Sequence, residues 1–528
     1  MKLDISLVGG MVHDGEGNPP VRADLGIKSD RLVYPINEAE KKKARRIIDI
    51  EGLHVSPGFI NIHGHSDIPF LIDGRVPSVL CQGITTEVVG NCGMSAAPML
   101  GRYGEEAKKA LKRDSDVLVD WEDFNGFFSR LMKNGIAINM ITLIGQGNLR
   151  GSVVGLDDRP ATPDEMGRMK ELVVRLMKQG AWGISTGLIY TPSVFANTEE
   201  LINLVGVLRE TGGYYSTHIR GEGSTLIDAI QEALTIAENA HVPVEISHLK
   251  AAGVKNWGKI DRVLEMIRSA RSRGVFVQHD QYPYEMSSTG LSMVLPLWAL
   301  DGGGEKAIER IKNPETRAKI IDELKNDPYA QGDRIIISGV GSEKNRKYLG
   351  RRVDNLAKEE KKDVGEFILD LLLEEKGSVG AIYLSMCEED VRKVMLDPYT
   401  AVCTDADARA AGGPLNRDNP HPRAYGSFPR VIGHYSRDEN LFPLSTAIYK
   451  MTGLPAKMLG LEDRGRIADG MIADLTIFDY EKIEDRSTIQ NPHRYPSGVE
   501  YVVVNGKIAM ERGDILPIRD GRILRHGR

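Results

Sequence analysis

The segment SPGFINIHGHSD, residues 56–67, gives the clearest indication of how this chain folds. Its apolar run FINI indicates a short buried strand that leads directly into His63, Gly64 and His65. Side chains two positions apart on an extended strand share one face, so both imidazoles can reach a single ion. Gly64 between them leaves space. The segment therefore predicts a buried strand with two candidate metal ligands at its carboxyl end.

Seven further apolar segments alternate with amphipathic helices. They lie at residues 84–91, 137–147, 182–188, 213–219, 243–249, 275–282 and 399–405. The intervening residues 163–180 and 224–240 show the i, i+3, i+4 apolar spacing of helices. Eight strands alternating with helices predict an α/β protein built on a (β/α)8 TIM-like barrel. We expect this barrel to occupy residues 59–463.

The two ends of the chain resemble each other. Residues 1–58 and 464–528 both contain short strands separated by Gly and Asp-Gly turns, which favours a small β-sandwich. We expect one sandwich built from both segments, with two separate β-hairpin caps as the alternative. An inserted subdomain is expected around residues 285–395, because the long gap before the last barrel strand contains the strand-like segments RIIISGV and AIYLSM.

The composition excludes several classes of protein. The 68 Lys and Arg residues against 74 Asp and Glu give a mild net charge of -6, which argues against a nucleic-acid or membrane partner. The 4 cysteines form no CxxC pair. The sequence shows neither a signal peptide nor an apolar run of about 18 residues. We therefore expect a cytoplasmic protein that acts on a small molecule, and its oligomeric state stays open.

Side chains that can bind a metal follow several of the predicted barrel strands. Active sites of such barrels form at the carboxyl ends of the strands. A single histidine or cysteine there is most often a structural residue, but a whole group on one rim indicates a metal centre. The candidates are His63, His65, Cys92, His218, His248 and Asp405.

Zinc is the expected ion. It binds imidazole and thiolate, and catalytic sites combine three protein ligands with an open position. Cys92, His218 and His248 match that count, whereas His63 and His65 could complete a second, weaker site that shares the Cys92 thiolate. We therefore expect one tightly bound zinc ion, with a second as an option.

Two charged residues after the last strand are candidates for chemistry. Asp405 can take a proton from water near the metal and pass it to a departing amine. Two alternatives stay open. Asp405 could instead orient a histidine, or the neighbouring Asp407 could be the acid–base group. Arg423 is the natural clamp for a substrate carboxylate, because a guanidinium fork matches two carboxylate oxygens better than lysine does. Its Pro-rich segment is expected to be a loop.

Several segments together resemble one known family over nearly the whole chain. The His-x-His after the first strand is similar to the amidohydrolase superfamily, and the finer pattern resembles its D-aminoacylase (N-acyl-D-amino-acid deacylase) family. The segments are TTEVVGNCG (85–93), STHIRGEG (216–223), ISHLKAAG (246–253), DQYPYEMSSTG (280–290) and HPRAYGSFPRVIG (421–433).

The resemblance implies zinc-dependent hydrolysis of N-acyl-D-amino acids to a carboxylate and a free D-amino acid. It implies that Cys92 takes the metal-bridging role, since the fourth strand, WGISTGL, offers no lysine. It further implies that Lys250 contacts the substrate or transition state, and that Tyr282 and Ser288 hold the substrate α-carboxylate together with Arg423.

Two other functions stay open. One is a different amidohydrolase, such as a cyclic-amide hydrolase or a dipeptidase that cleaves before a D-residue. The other is a barrel that has lost its metal and serves as a scaffold. The segment ADARAAGGPLNRDN, residues 406–419, forms an apparently longer loop than in the shorter D-aminoacylases, which affects the expected fit around the substrate side chain.

Overall fold

A computed structural model of the chain describes residues 2–325, 327 and 329–527. The strands are β1 (Ile5–Val12), β2 (Val21–Lys28), β3 (Arg31–Val33), β4 (Arg46–Asp49), β5 (His54–Pro57), β6 (Phe59–Asn61), β7 (Ile84–Val89), β8 (Asn139–Thr142), β9 (Ile144–Gly145), β10 (Gly183–Gly187), β11 (Tyr214–His218), β12 (Val244–Ile246), β13 (Val277–Gln281), β14 (Ser287–Gly290), β15 (Ile335–Val340), β16 (Val379–Tyr383), β17 (Thr400–Val402), β18 (Leu475–Phe478), β19 (Val499–Val504), β20 (Lys507–Glu511) and β21 (Asp514–Ile515).

The helices alternate with the central strands. They are α1 (Glu38–Lys41), α2 (Pro69–Ile72), α3 (Pro77–Leu80), α4 (Gly101–Ser115), α5 (Phe124–Asn134), α6 (Gln146–Val153), α7 (Pro163–Lys178), α8 (Thr198–Val205), α9 (Leu208–Thr211), α10 (Leu226–Ala240), α11 (Ile260–Ser272), α12 (Leu297–Leu300), α13 (Gly304–Lys312), α14 (Pro314–Leu324), α15 (Val353–Glu359), α16 (Val364–Glu374), α17 (Glu388–Leu396), α18 (Arg423–Arg430), α19 (Leu444–Met451) and α20 (Gly453–Leu459). Among the described residues, no helix is both long enough and apolar enough to cross a bilayer.

The central strands are parallel and follow one another in sequence order. One sheet has the order β6-β7-β8, and the other has the order β17-β13-β12-β11-β10-β9. The chain beyond β17 is hydrogen-bonded to the chain beyond β6, because Asp405 N donates to His63 O at 2.9 Å and His65 N donates to Ala406 O at 3.0 Å. The molecule is thus a mixed α/β protein whose parallel strands deliver their carboxyl ends to a common region.

Each predicted central segment contains a strand, but the strands are shorter than predicted. The segment expected at residues 58–67 is a strand only over β6, Phe59–Asn61. His63 and His65 therefore lie in the loop that follows, rather than on one face of an extended strand. Their backbone N–H groups still bond to neighbouring segments, since Gly64 N donates to Val88 O at 2.9 Å. The loop is held in place without regular strand pairing.

The amphipathic helices pack on the parallel strands as their spacing predicts. Helix α7 begins at the N-cap Thr162, whose side chain accepts from Glu165 N while the Glu165 side chain accepts from Thr162 N, and Pro163 takes the first helical position. Its buried face includes Met169 and Val173. Burial of this face against the strands supplies most of the helix stability, because local propensity alone leaves helices of this length marginal.

The two terminal segments share one sheet. Strand β18 pairs antiparallel with β5, from Leu475 opposite Pro57 to Phe478 opposite His54. The sheet has nine strands in the order β21-β20-β19-β18-β5-β1-β2-β3, with β4 beside β1. The alternative of two separate hairpin caps is therefore wrong.

A buried polar cluster attaches this sheet to the parallel strands. Asp474, next to β18, accepts hydrogen bonds from Asn505 N at 2.6 Å and from Asn139 Nδ2 at 2.9 Å, and it pairs with Arg464. Asn139 begins β8. Since a buried carboxylate is stable only when its hydrogen bonds and countercharge are supplied, these partners fix the relative position of the two parts.

A fourth sheet lies between β13 and β17 in the sequence. Strands β14, β16 and β15 form it in that order, and β15 and β16 correspond to the segments RIIISGV and AIYLSM. The surrounding residues have a hydrophobic cluster of their own, which includes Ile337, Leu356 and Phe367. Strand β14 begins five residues after Tyr282, so this sheet follows directly on the carboxyl end of β13 in the chain.

The prediction of a loop for the segment HPRAYGSFPRVIG is wrong. Residues Arg423–Arg430 form helix α18, and a π-helix follows over Val431–Asp438. Pro429 lies inside α18 and lacks the N–H of a normal helical hydrogen bond, so the sequence hides the helical period. Burial of Tyr425 and Phe428 stabilises the helix despite this proline.

Candidate metal centre and active site

The candidate site is a cavity of about 800 Å³ at the carboxyl ends of the parallel strands. It is lined by nearly all of the side chains that the sequence singles out. These are His65, Cys92, His218, His248, Lys250, Tyr282, Ser288, Asp405 and Arg423. His63 is fully buried behind them and still contacts Cys92. Residues from far apart in the sequence are thus brought into one cavity.

The Cys92 sulfur lies at the centre of this group. Its Sγ is 3.3 Å from His63 Nε2, 3.4 Å from His248 Nε2 and 3.7 Å from His218 Nδ1. Two sets of potential ligand atoms share Cys92, each with all atoms within 4.8 Å of one another. One set adds His218 and His248, and the other adds His63, His65 and Asp405.

Three of these residues have unusual backbone conformations. Cys92 has φ 51°, His248 has φ 37° and Asp405 has φ 45°. Non-glycine residues adopt this left-handed region rarely and at a cost of about 1–3 kcal/mol each, and such residues concentrate at functional sites. Each lies just beyond the end of its strand, where the chain turns the side chain into the cavity. The surrounding packing therefore holds a geometry that the isolated chain would not choose.

A lysine and a glutamate fix the orientation of His248. Its Nδ1 is 2.7 Å from Lys250 Nζ and 3.1 Å from Glu222 Oε1, while Lys250 Nζ donates to the same Glu222 oxygen at 2.5 Å. With Nδ1 engaged on this side, Nε2 faces Cys92. Outer partners of this kind set which imidazole nitrogen is available as a ligand.

Asp280 performs the same task for His63. Its Oδ2 lies 3.2 Å from His63 Nδ1, and its Oδ1 accepts from the backbone N–H of His248 at 2.9 Å. A single carboxylate, fully buried, thus orients one imidazole and holds the strained backbone of another. His63 Nε2 is left to face Cys92 and the Asp405 carboxylate, whose Oδ1 is 3.4 Å away.

Gly64 leaves space, as expected, and the buried Glu87 carboxyl group fills it. A side chain there would overlap the buried Glu87 carboxyl group, because an added Cβ would lie 1.9 Å from Glu87 Oε1. Burial raises the pKa of Glu87 to about 8, and the carboxyl group accepts from Ser66 Oγ at 2.9 Å and from Asn61 Nδ2 at 3.2 Å. The glycine makes room for this buried carboxyl group, which packs beneath the His-x-His loop.

The protonation states suit cation binding. Burial lowers the pKa of His218 and of His248, so both imidazoles are neutral, which is the form that ligates metals. Burial and the nearby Asp405 charge raise the pKa of the Cys92 thiol well above its ordinary range. A cation among these groups would offset both effects on the thiol and favour its ionised form.

The donor atoms fit a metal ion. A soft thiolate and neutral imidazoles are the ligands that zinc and related transition metals prefer. His218 Nε2 is buried and has no hydrogen-bond partner among the described residues, although Glu222 Oε1 lies 3.8 Å away, and its Nδ1 faces Cys92. Three suitable donor atoms therefore lie together on one side of the cavity, on Cys92, His218 and His248.

Asp405 is held as a charged carboxylate. Its Oδ2 accepts from Arg423 Nη1 at 2.7 Å, and its Oδ1 lies 3.2 Å from His65 Nε2. Burial opposes the charged form of Asp405, but the Arg423 guanidinium and the neighbouring imidazoles outweigh burial and hold its pKa well below its usual range. Asp407 instead accepts from Arg409 Nε at 3.0 Å. Of the two candidates, Asp405 is the one that faces the ligand group.

Arg423, the first residue of α18, spans the cavity between Asp405 and the inserted sheet. Its Nη2 donates to the backbone carbonyl of Ser288 at 3.1 Å, and its guanidinium stacks 4.5 Å from the centre of the Tyr282 ring. The Ser288 hydroxyl donates to Ala381 O at 2.9 Å, so Ser288 contacts Arg423 through its main chain. The Tyr282 hydroxyl points to Met386 Sδ at 3.5 Å.

Sequence reasoning missed two members of the site, Glu222 and Asp280. Both stand in segments that resemble the D-aminoacylase family, four residues after His218 and at the end of β13. The rule that identified the other residues, polar side chains at strand ends, also selects Asp280. Glu222 gives no such signal, because it lies in the loop after β11 and only the folded chain brings it to His248.

Comparison with known proteins shows the family of this chain. The amidohydrolase family matches residues 46–277 and 402–510. The chain is 34% identical to a D-aminoacylase from Alcaligenes xylosoxydans xylosoxydans, over 99% of this chain and 97% of the relative. It is 35% identical to an N-acyl-D-glutamate deacylase of the same organism, with the same coverage.

A solved structure gives the same picture. The N-acyl-D-glutamate deacylase from Bordetella bronchiseptica, complexed with zinc and a phosphonate inhibitor that mimics the tetrahedral intermediate, matches with a TM-score of 0.84 and 31% identity. The match covers 99% of this chain and 100% of that chain. The resemblance inferred from the sequence is thereby confirmed. The chain belongs to the D-aminoacylase family of the amidohydrolases and is a metal-dependent deacylase of that class.

Proposed function

We propose that this protein hydrolyses the amide bond of N-acyl-D-amino acids and releases a carboxylate and a free D-amino acid. The observation that carries the proposal is the meeting, in one cavity, of the Cys92–His218–His248 donor set and the Asp405–Arg423 pair. The activities of the relatives, which concern D-amino-acid derivatives, support it. The proposed substrate is a small molecule.

We also propose how the chain divides. Residues 59–463 form a closed (β/α)8 barrel with an insertion around 285–395, and residues 1–58 and 464–528 form one β-sandwich. The parallel strand order and the hydrogen bonds between residues 63–65 and 405–406 support closure of the barrel. The pairing of β18 with β5 supports a shared terminal domain.

The proposed cofactor is zinc. Cys92, His218 and His248 would hold one ion tightly, and His63 and His65 would provide a second, weaker position that shares Cys92. An ion there supplies positive charge that polarises the scissile carbonyl and makes water at the site more acidic. The neutral imidazoles and the sulfur surrounded by nitrogen atoms support this choice of ligands.

Asp405 is the proposed acid–base group. The attacking water must lose a proton, and the departing amine must gain one, since an amine anion is a poor leaving group. The charged Asp405 carboxylate can accept that proton on Oδ1, which faces His65, while Arg423 holds Oδ2. It can then return the proton to the nitrogen of the leaving group. The contact with Arg423 holds the Asp405 carboxylate in the same orientation during both proton transfers.

Arg423 is also the proposed anchor for the substrate α-carboxylate. Its Nη1 donates to Asp405 and its Nη2 donates to the Ser288 carbonyl, and each of these nitrogens carries a second N–H. Since Arg423 lines the cavity, a substrate carboxylate beside the guanidinium would accept from these remaining N–H groups. The Tyr282 ring holds the guanidinium plane from one face.

This arrangement would discriminate between enantiomers, and the names of the relatives favour the D-hand. Three groups on the substrate α-carbon would be fixed at once, namely the amide at the metal ligands, the carboxylate at Arg423 and the side chain in the rest of the cavity. The L-isomer would exchange its side chain and hydrogen, so its side chain could not keep the same contacts.

The function is tested directly with paired enantiomers. We expect the protein to hydrolyse N-acetyl-D-methionine with a kcat/KM at least about 100-fold above that for N-acetyl-L-methionine, because the misplaced side chain loses its contacts. Removal of metal with a chelator should abolish the activity, and added zinc should restore it. Equal rates on both enantiomers, or full activity in the chelated protein, would contradict the proposal.

The role of Asp405 is tested against its neighbour. Asp405→Asn should lower kcat by about 10²–10⁴, the usual contribution of a general acid–base group. Asp407→Asn is the matched control and should stay within about tenfold of wild type, since Asp407 is committed to Arg409. Zinc content should be measured in both variants. A dead Asp407 variant beside an active Asp405 variant would reverse the assignment.

The role of Arg423 requires a readout separate from its contact with Asp405. Arg423→Ala should lower kcat/KM for N-acetyl-D-methionine by about 100-fold, the value of a charge-assisted contact, and Arg423→Lys should recover only part. The α-carboxamide analogue isolates the carboxylate contact. Wild type should strongly prefer the acid, and Arg423→Ala should nearly lose that preference. If both proteins discriminate equally, the carboxylate is bound elsewhere.

A further inference from the structure

Part of the cavity lining is apolar, and these side chains have no role in the mechanism above. We propose that the substrate's D-side chain is uncharged and apolar and that it packs against this part of the lining, which we name the apolar wall. This inference rests on the proposed function and specifies its substrate class. The wall consists of Met94, Met99, Tyr103, Ala107, Ala110 and Leu111.

The wall is built mainly by one face of helix α4. Tyr103, Ala107, Ala110 and Leu111 are spaced at i, i+4, i+7 and i+8, so they form one stripe along the helix. Ala107 and Leu111 pack at the edge of the main hydrophobic core and are only partly buried. The stripe therefore retains apolar surface toward the cavity, and an apolar ligand would cover it.

The wall reaches the reacting groups. Met94 follows Cys92 by two residues and is 50% exposed, which is high for a large apolar side chain next to a buried ligand set. Ile68, three residues after His65, lines the cavity as well. An amide held at the ligand set would thus place its neighbouring substituents directly beside apolar side chains.

The cationic side chains of the cavity are already committed. Among the described residues that line it, these are Arg220, Lys250 and Arg423. Arg220 pairs with Glu232 at 2.9 Å and also donates to two backbone carbonyls, and Lys250 pairs with Glu222. Arg423 pairs with Asp405, and its remaining N–H groups are those assigned above to the α-carboxylate.

Most carboxylates of the cavity are the partners of cations. Asp67, Glu222, Asp405 and Asp407 all line it, and the last three pair with Lys250, Arg423 and Arg409. A second carboxylate on the substrate side chain would therefore find no unpaired cation among those described along the cavity. Transfer of an unpaired carboxylate from water into such a site is strongly unfavourable. Electrostatics and packing therefore both favour an apolar side chain over an acidic one.

Similarity to the relatives does not distinguish between apolar and acidic substrate side chains. Identity is 34% to the D-aminoacylase and 35% to the N-acyl-D-glutamate deacylase, so overall likeness favours neither substrate class. The cavity volume of about 800 Å³ does not restrict the side chain to a small one, since drug-sized ligands fit cavities of this size. The side chains that line the cavity therefore distinguish between the two substrate classes.

The test uses three N-acetyl-D-amino acids with side chains of similar length, namely methionine, glutamine and glutamate. Glutamine separates the effect of charge from that of polarity. We expect kcat/KM for the methionine substrate to exceed that for the glutamate substrate at least about 100-fold, with glutamine between them. N-acetylglycine, which has no side chain, gives the baseline.

A variant pair locates the effect on the wall. Leu111→Glu should lower kcat/KM for N-acetyl-D-methionine about tenfold or more, while N-acetylglycine stays within about twofold, because only the side chain meets the new charge. The matched control is Leu118→Glu, since Leu118 is 64% exposed and lies beyond α4 outside the cavity lining. It should leave both substrates unchanged.

The outcomes separate the two proposals. A wild-type protein that prefers the glutamate substrate overturns the apolar wall and leaves the proposed function standing. Equal losses of kcat/KM for N-acetyl-D-methionine and N-acetylglycine in Leu111→Glu also overturn it. The substitution would then disturb the fold rather than a contact with the substrate side chain. Failure to hydrolyse any N-acyl-D-amino acid would overturn the proposed function itself.

Discussion

The structure depends on one buried thiol. Cys92 is only 4% exposed and lies within 3.7 Å of three imidazole nitrogens. Such a cluster of polar atoms is costly to bury, and it is stable only if every member is oriented and its charge balanced. The large hydrophobic core around the parallel strands supplies the free energy that holds the strained backbones of Cys92, His248 and Asp405 in place.

Two charge pairs stabilise this arrangement from opposite sides. Glu222 and Lys250 engage His248, and Arg423 engages Asp405. In each pair, a buried cation neutralises a buried carboxylate and orients a group that faces the cavity. Loss of one partner would leave the other uncompensated, which is far more costly than loss of a surface ion pair. The charge pairs of the site therefore also contribute to the stability of the fold.

Much of the fold and the site could be predicted from the sequence, and the reason is geometric. Parallel strands place their carboxyl ends together, so the polar residues that follow them, such as Cys92, His248 and Asp405, can be grouped from the order of the strands alone. The exact path beyond each strand could not be predicted. His63 and His65 leave the strand early, and the group that fills the space at Gly64 is the Glu87 carboxyl group. Glu222 reaches His248 only because the loop after β11 folds back, and Pro429 conceals helix α18, whose stability comes from burial in the folded chain.

The central claim is that a metal ion is held by the Cys92 sulfur together with imidazole nitrogens. X-ray absorption at the zinc edge of the purified, zinc-loaded protein tests it most directly. The account predicts a sulfur ligand at about 2.3 Å and nitrogen ligands at about 2.0 Å, with the sulfur contribution lost in Cys92→Ser. A wild-type spectrum with only nitrogen and oxygen ligands, or a sulfur contribution that persists in Cys92→Ser, would contradict the account.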